Sequence, residues 1–191
     1  MSSMGFLRRL GRAVFHATPP NSDLLYKFFA RYVDRFNGEN DSTPETNGEH
    51  FFLRRELVGL ADGVVFDVGA NVGDWAIYAL RVNPNLDLHC FEPSKATFGK
   101  LTQIQWPPNV HLNNCGLGEV DGILRLNVVA EGSGMNSVYS RRGVEAAKSV
   151  ETELINITTI DGYCANNAIQ RIDLIKVDVE GHELAVFKGI S

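Results

Sequence analysis

The sequence predicts an α/β fold, doubly wound about a mostly parallel sheet, and three observations predict it. From residue 64 onward, short apolar runs of strand length alternate with segments of helical periodicity. The first run, Val64-Val65-Phe66-Asp67-Val68, leads straight into a glycine turn, Gly69-Ala70-Asn71-Val72-Gly73. The second, Leu86 to Phe91, is followed at once by a carboxylate, Glu92. Alternation of this kind calls for parallel pairing with right-handed crossovers. Nearly continuous apolar runs mark strands that are covered on both faces.

The elements follow in order. Val64 to Val68 is the first strand and Asp74 to Val82 the first helix after it. Leu86 to Phe91 gives the second strand, Lys95 to Gln105 the second helix and Val110 to Asn114 the third strand. The rhythm then breaks. Gly122 to Val129 and Glu153 to Thr159 alternate apolar and polar residues as half-buried strands do. A polar loop, Gly132-Ser133-Gly134-Met135-Asn136-Ser137, separates them, which predicts an inserted, hairpin-like excursion. Ile172 to Val177 returns as a fourth parallel strand, and Glu183 to Lys188 opens a helix. Strands that would normally complete such a sheet do not follow, so a fold truncated after its fourth parallel strand is expected.

Upstream, residues 1–50 read as a helical extension and a flexible linker, leaving 51–191 as the domain. Arg8, Arg9 and Arg12 lie among Phe6, Leu7, Leu10, Val14 and Phe15, which fits a frayed or docking helix better than a membrane-surface one. Leu24, Leu25, Phe28, Phe29, Tyr32, Val33 and Phe36 recur at three- and four-residue steps and mark one face of an amphipathic helix. Residues 37–49 are polar and contain Gly38, Pro44 and Gly48, as a linker would. A second short helix is expected from His50 to Leu60.

Composition narrows the function. A chain of 191 residues that is 44% hydrophobic can build one real core. Its formal net charge of -5 argues against nucleic acid as a partner. No apolar run approaches the roughly 20 residues that a membrane-spanning helix needs. Cys90, Cys115 and Cys164 are odd in number and form no CxxC pair. They read as reduced thiols of a cytoplasmic protein, with neither a disulfide framework nor a metal site expected.

The glycine turn carries the chemistry. A strand that runs into a glycine turn, and then a helix, lets backbone N–H groups approach a carboxylate, ribose or phosphate closely. Dinucleotide folds want G-x-G-x-x-G here, and Asn71 stands where the second glycine would be, which counts against NAD or FAD. A P-loop is excluded because no Lys-Ser or Lys-Thr pair closes the turn. Glu92, followed by Pro93, is placed to accept hydrogen bonds from both hydroxyls of a ribose. Lys176 sits in an apolar strand and needs a carboxylate partner beneath the cleft. Trp75 reads as packing the first helix onto the sheet.

These segments resemble the FkbM family of S-adenosylmethionine-dependent methyltransferases, whose class I fold is Rossmann-like. The resemblance rests on Val65 to Gly73, on Phe91-Glu92-Pro93, and on Ile172 to Glu183 with its Lys176-Val177-Asp178-Val179-Glu180-Gly181-His182-Glu183 core. It runs from about residue 60 to the last residue. It implies S-adenosyl-L-methionine as cofactor, with Gly69, Asn71 and Gly73 toward its methionine end, Glu92 at the ribose and Asp67 among the binding residues. Asn114, Gly116 and Leu117 would lie near the adenine, with Asp178 a further contact.

The same resemblance implies O-methylation of a hydroxyl on a sugar, lipid or secondary metabolite, so the partner is a small-molecule or glycan acceptor. A second copy of the chain is a further candidate partner. Asp178, Glu180 and His182 form the catalytic set, with His182 or Glu180 as general base. The competing reading of His182 and Glu183 is that they only cap the helix that follows. Asn136 and Ser137 are candidates for touching substrate by position alone. The alternative function is a truncated, non-catalytic module that binds cofactor or serves as scaffold.

Overall fold

The computed structural model describes residues 47–128 and 151–190, together with Val33 and Pro44. The chain divides into two compact units, residues 1–51 and 52–191. Asn47 accepts the Glu49 backbone N–H through its side chain at 2.8 Å, which starts helix α1 (Glu49–Leu57). The basic segment 1–16 and the loop 132–137, with Asn136 and Ser137, lie outside the described residues. Of the helix expected over 24–36, only Val33 is described, and it is helical.

In the second unit the elements are β1 (Val64–Val68), α2 (Asp74–Val82), β2 (Asp87–Phe91), α3 (Lys95–Leu101), β3 (Val110–Asn113) and β4 (Gly116–Leu117). They continue with β5 (Gly122–Val128), β6 (Glu151–Thr158), α4 (Ile160–Asn166), β7 (Leu174–Val177) and α5 (Glu183–Lys188). Four strands form a wholly parallel sheet in the order β3-β2-β1-β7. Their nearly continuous apolar runs mark them as covered on both faces, and two separate apolar clusters cover them. Val65, Leu88 and Cys90 pack against Leu53, Leu57, Ala76, Ala79 and Leu101. Phe66, Val68 and Phe91 point the other way, onto Ile160, Tyr163 and Val186. The doubly wound α/β architecture is therefore present, and Trp75 packs against the first cluster.

The expected excursion is an antiparallel pair, β5 with β6, in register from Gly122 opposite Ile157 to Val128 opposite Glu151. It is not a bare hairpin. β4 adds to it in parallel, giving a second sheet in the order β4-β6-β5 with Leu126, Ile155 and Ile157 buried. β4 and α4 were not foreseen. α4 begins at Thr159, whose hydroxyl accepts the Gly162 N–H at 3.0 Å, and Asp121 Oδ1 in turn accepts the Thr159 N–H at 2.9 Å. α3 stops at Leu101 rather than Gln105, because the Trp106 indole N–H donates to the Leu101 carbonyl at 2.9 Å and closes the helix end. Among the described residues no helix is long and apolar enough to cross a membrane.

Candidate functional site

The carboxyl ends of β3, β2, β1 and β7 lie side by side and carry Asn114, Glu92, Gly69 and Asp178 respectively. The chain winds outward through β2 and β3 on one side of β1 and returns to β7 on the other. Such a reversal opens a crevice at the strand ends, where α/β proteins bind ligands.

Gly69 turns the chain there. Its φ is +80°, and a Cβ at this position would stand 2.0 Å from the Asp178 carbonyl oxygen, so only glycine lets β1 and β7 end this close together. The Phe91 carbonyl accepts both the Gly69 and the Ala70 N–H groups, each at 3.0 Å. Asn71, at φ +50°, donates its N–H to Glu92 Oε2 at 3.0 Å, and Ser94 donates to Glu92 Oε1 at 3.0 Å. The turn after β1 and the acid after β2 therefore form a single structure. Asn114 secures it from β3, donating its side-chain amide to the Glu92 and Pro93 carbonyls at 2.9 and 3.1 Å.

Glu92 is 7% exposed. Burial pushes its carboxyl above the usual glutamate range, and the Ser94 and Asn71 N–H groups pull against that shift. Each of its oxygens accepts one backbone N–H and keeps further lone-pair capacity. Two polar atoms beside it, Asn71 Oδ1 and Ser94 Oγ, are buried with no hydrogen-bond partner among the described residues. Buried polar atoms left this way point to a missing partner, such as a ligand.

Three of the residues expected at a cofactor have pairing or packing roles in the fold. Asp67 is fully buried in β1 and pairs with Lys176 Nζ at 3.0 Å, so it faces the inter-strand interior. Gly73 faces α3: its missing Cβ leaves room for Leu101 and Trp106, and its N–H is taken by the Ala70 carbonyl at 2.9 Å. Leu117 is 1% exposed in the second core cluster, leaving only backbone for a ligand. Its neighbour Gly116 is packed so tightly against Ile157 that a Cβ would stand 2.7 Å from it.

Lys176, as expected, has a carboxylate partner, and that partner is Asp67. Its ammonium also donates to the Gly69 carbonyl at 2.9 Å and lies 3.9 Å from Asp178 Oδ2. One cation thus ties the turn of β1 to the end of β7. Asp178 is largely exposed there. Glu180 and Gly181 follow in left-handed backbone at φ +52° and +102°. That conformation costs a non-glycine residue about 1–2 kcal/mol, and backbone strain of this kind gathers at functional sites.

His182 occupies the N-cap position of α5 without a side-chain capping bond. Its ring lies over Gly118, with Nε2 3.3 Å from where a Cβ would be. Burial lowers its pKa below the ordinary imidazole value of 6.5, so it is neutral at physiological pH. Glu183 Oε1 accepts the Gly181 N–H at 3.0 Å, a bond that holds its carboxyl below the usual range. Of the two capping candidates, Glu183 is the one that satisfies a backbone donor at this helix start.

Residues 67–191 match the family model described as the methyltransferase FkbM domain. "Methyltransferase 1" of Beauveria bassiana is 27% identical over 149 residues, covering 68% of this chain and 59% of that protein. "31-O-demethyl-FK506 methyltransferase FkbM" of Streptomyces tacrolimicus is 25% identical over 184 residues, covering 75% and 70%. "2-O-methyltransferase NoeI" of Sinorhizobium fredii is 26% identical over 152 residues, covering 72% and 62%. The chain therefore spans about three-fifths of the length of the first and third of these relatives.

Proposed function

The chain belongs to the methyltransferase FkbM domain family, and from that premise we propose that it binds S-adenosyl-L-methionine in the crevice between Gly69 and Glu92. We further propose that it directs the methyl group onto a hydroxyl oxygen of a sugar, lipid or secondary metabolite. Two relatives with O-methyl transfer in their names support the acceptor atom. The acceptor class rests on that likeness and not on any one side chain.

The observation that carries the reading is the hydrogen bond from the Asn71 N–H to Glu92 Oε2. It sets the glycine turn and the acid within one ligand's reach. The remaining lone pairs of Glu92, one or more on each oxygen, suit the two hydroxyls of a ribose. Charge-assisted bonds of that kind are worth about 1.5–3 kcal/mol each. Asn71 Oδ1, buried and without a partner among the described residues, is an acceptor suited to an amino group. The turn itself contributes space rather than donors, since Phe91, Glu92 and Ala70 already take four of its N–H groups.

When bound, S-adenosylmethionine supplies a methyl group on a sulfonium centre, whose displacement requires no protonation of the leaving group. The remaining work belongs to this chain. Asp178 and Glu180, beyond the end of β7, orient the acceptor hydroxyl. Holding reactants in line accounts for roughly 7–11 kcal/mol of barrier lowering in well-oriented systems. His182, neutral through burial, takes the hydroxyl proton at a ring nitrogen. Lys176 keeps the two strand ends in register from beneath.

Calorimetric titration of the full chain with S-adenosyl-L-methionine tests the proposal. One-to-one binding is expected, and Glu92→Ala is expected to weaken it at least several-fold while the circular dichroism spectrum stays unchanged. Folded protein that takes up no cofactor would overturn the reading, and unchanged affinity in Glu92→Ala would remove the ribose assignment.

A further inference from the structure

A second cluster of polar side chains lies on the same sheet, away from the crevice. Asp87 and His89 are two residues apart on β2, so the alternation of a strand turns both to one face. The parallel register sets His111 of β3 directly beside His89. Ligand-capable atoms of all three lie within 4.8 Å of one another. His111 Nε2 is 2.8 Å from Asp87 Oδ1, His89 Nε2 is 3.5 Å from the same oxygen, and the two imidazoles stack at 4.5 Å. His89 precedes Glu92 by three residues, which at about 3.3 Å per strand residue places the cluster roughly 10 Å from the crevice.

Two features separate this cluster from an ordinary surface ion pair. The His89 ring is 4% exposed, yet its Nε2 has no hydrogen-bond partner among the described residues, and 3.5 Å to Asp87 is too long and poorly placed to be one. This buried ring nitrogen sits beside a carboxylate oxygen, with a second imidazole stacked on the same ring. The other ring nitrogen is held: His89 Nδ1 lies 2.8 Å from the Tyr163 hydroxyl of α4. Metal-binding histidines are oriented in this way, with the free ring N–H given to an oxygen partner.

The outer side is open. Asp87 and His111 side chains are 45% and 47% exposed, which leaves a path for an ion and room for water. Tetrahedral bonds of about 2.0–2.1 Å separate ligand atoms by about 3.3 Å. The 3.5 Å spacing is close to that figure, the 2.8 Å pair has to open by about half an ångström, and the two imidazoles, stacked with an interplanar angle of 19°, have to tilt for both Nε2 lone pairs to meet at one ion. Two imidazoles and one carboxylate favour divalent transition metals over calcium or magnesium, which prefer all-oxygen shells.

We propose that Asp87, His89 and His111 bind one divalent transition-metal ion through Asp87 Oδ1, His89 Nε2 and His111 Nε2, with water completing the shell. The ion clips β2 to β3, and Tyr163 links the clip to α4 across the sheet face. No cysteine takes part, so the spacing of the three thiols gave no sign of it. The site is independent of the cofactor reading and stands if that reading fails.

The test uses the full chain after chelator treatment, titrated with cobalt(II). One equivalent is expected to produce the visible d–d absorption of tetrahedral nitrogen and oxygen coordination, and zinc(II) to displace it. His111→Ala and Asp87→Asn, at half-exposed positions, are expected to abolish the signal with unchanged circular dichroism. Tyr163→Phe keeps the packed ring and is expected to weaken binding by about 10- to 100-fold. The proposal is overturned by folded wild-type protein that takes up no cobalt. It is equally overturned by binding that persists in both ligand variants, or by thiolate charge-transfer bands.

Discussion

Replacing Lys176 by methionine removes the cation that joins β1 to β7 and takes the ammonium partner from the buried Asp67 carboxylate. Asp67 is fully buried, whereas the Lys176 side chain is 20% exposed. Breaking a buried ion pair from one side costs about 3–5 kcal/mol, and the solvent access of Lys176 puts this pair near the lower figure. The Gly69 carbonyl loses a 2.9 Å hydrogen bond as well, worth about 1 kcal/mol. Lys176→Met is therefore expected to lose about 3–4 kcal/mol in urea denaturation at neutral pH.

The exposures also predict an asymmetry. Asp67→Asn leaves a lysine that reaches water and has Asp178 3.9 Å away, so it costs less than Lys176→Met. The double variant recovers part of the loss of Lys176→Met, because no buried charge remains. Urea midpoints of the four proteins, fitted with a common slope, give the coupling energy directly. A loss below about 1 kcal/mol for Lys176→Met, or additive single effects, would refute the argument that this pair holds the strand ends together.

Three further predictions test other parts of the site. Gly69→Ala places a methyl 2.0 Å from the Asp178 carbonyl at φ +80°, so it is expected to cost at least about 1–2 kcal/mol in urea denaturation and to weaken cofactor binding; wild-type values in both would show that the strand ends part freely. Glu92 has its pKa raised above 4.5 by burial, so its contribution to folding is greatest below 4.5 and is lost as pH rises through the folded value. Accepting two hydroxyls requires the ionised form, so cofactor affinity measured by calorimetry is expected to climb with pH across that same interval and to lose this dependence in Glu92→Gln. His182 is shifted the other way, below 6.5; its contribution to stability is present above 6.5 and is lost as pH falls through the folded value. The methyl-transfer rate is expected to fall along an acid limb below 6.5 that His182→Asn removes, and an unchanged limb in that variant would exclude His182 as the base.

What the sequence made legible, and what it did not, divides by the reach of the interactions involved. β1, α2 and α5 have the expected bounds, because each is specified within its own segment by an apolar run, a glycine turn or a helical repeat. α4 was missed for the converse reason. Its seven residues include Gly162 and bury only Ile160 and Tyr163, and its start depends on Asp121, far back in the sequence. The glycine turn is visible in the sequence, but the partners of its N–H groups are not. Free N–H donors were expected from it, whereas Phe91 on the next strand takes two of them and Trp106, well downstream, fills the space beside Gly73.

The proposed metal cluster shows the same limit most sharply. Asp87 and His89 look like a polar interruption of an apolar strand until the register brings His111 alongside them. A single-residue slip of β3 would turn His111 to the opposite face and leave His89 without its neighbour. Chemistry that depends on cross-strand register is therefore invisible to any reading of one segment at a time. The register of β2 on β1 seats Glu92 beside Asn71, and its register on β3 sets His89 beside His111, so a substitution that shifts β2 should impair both sites together.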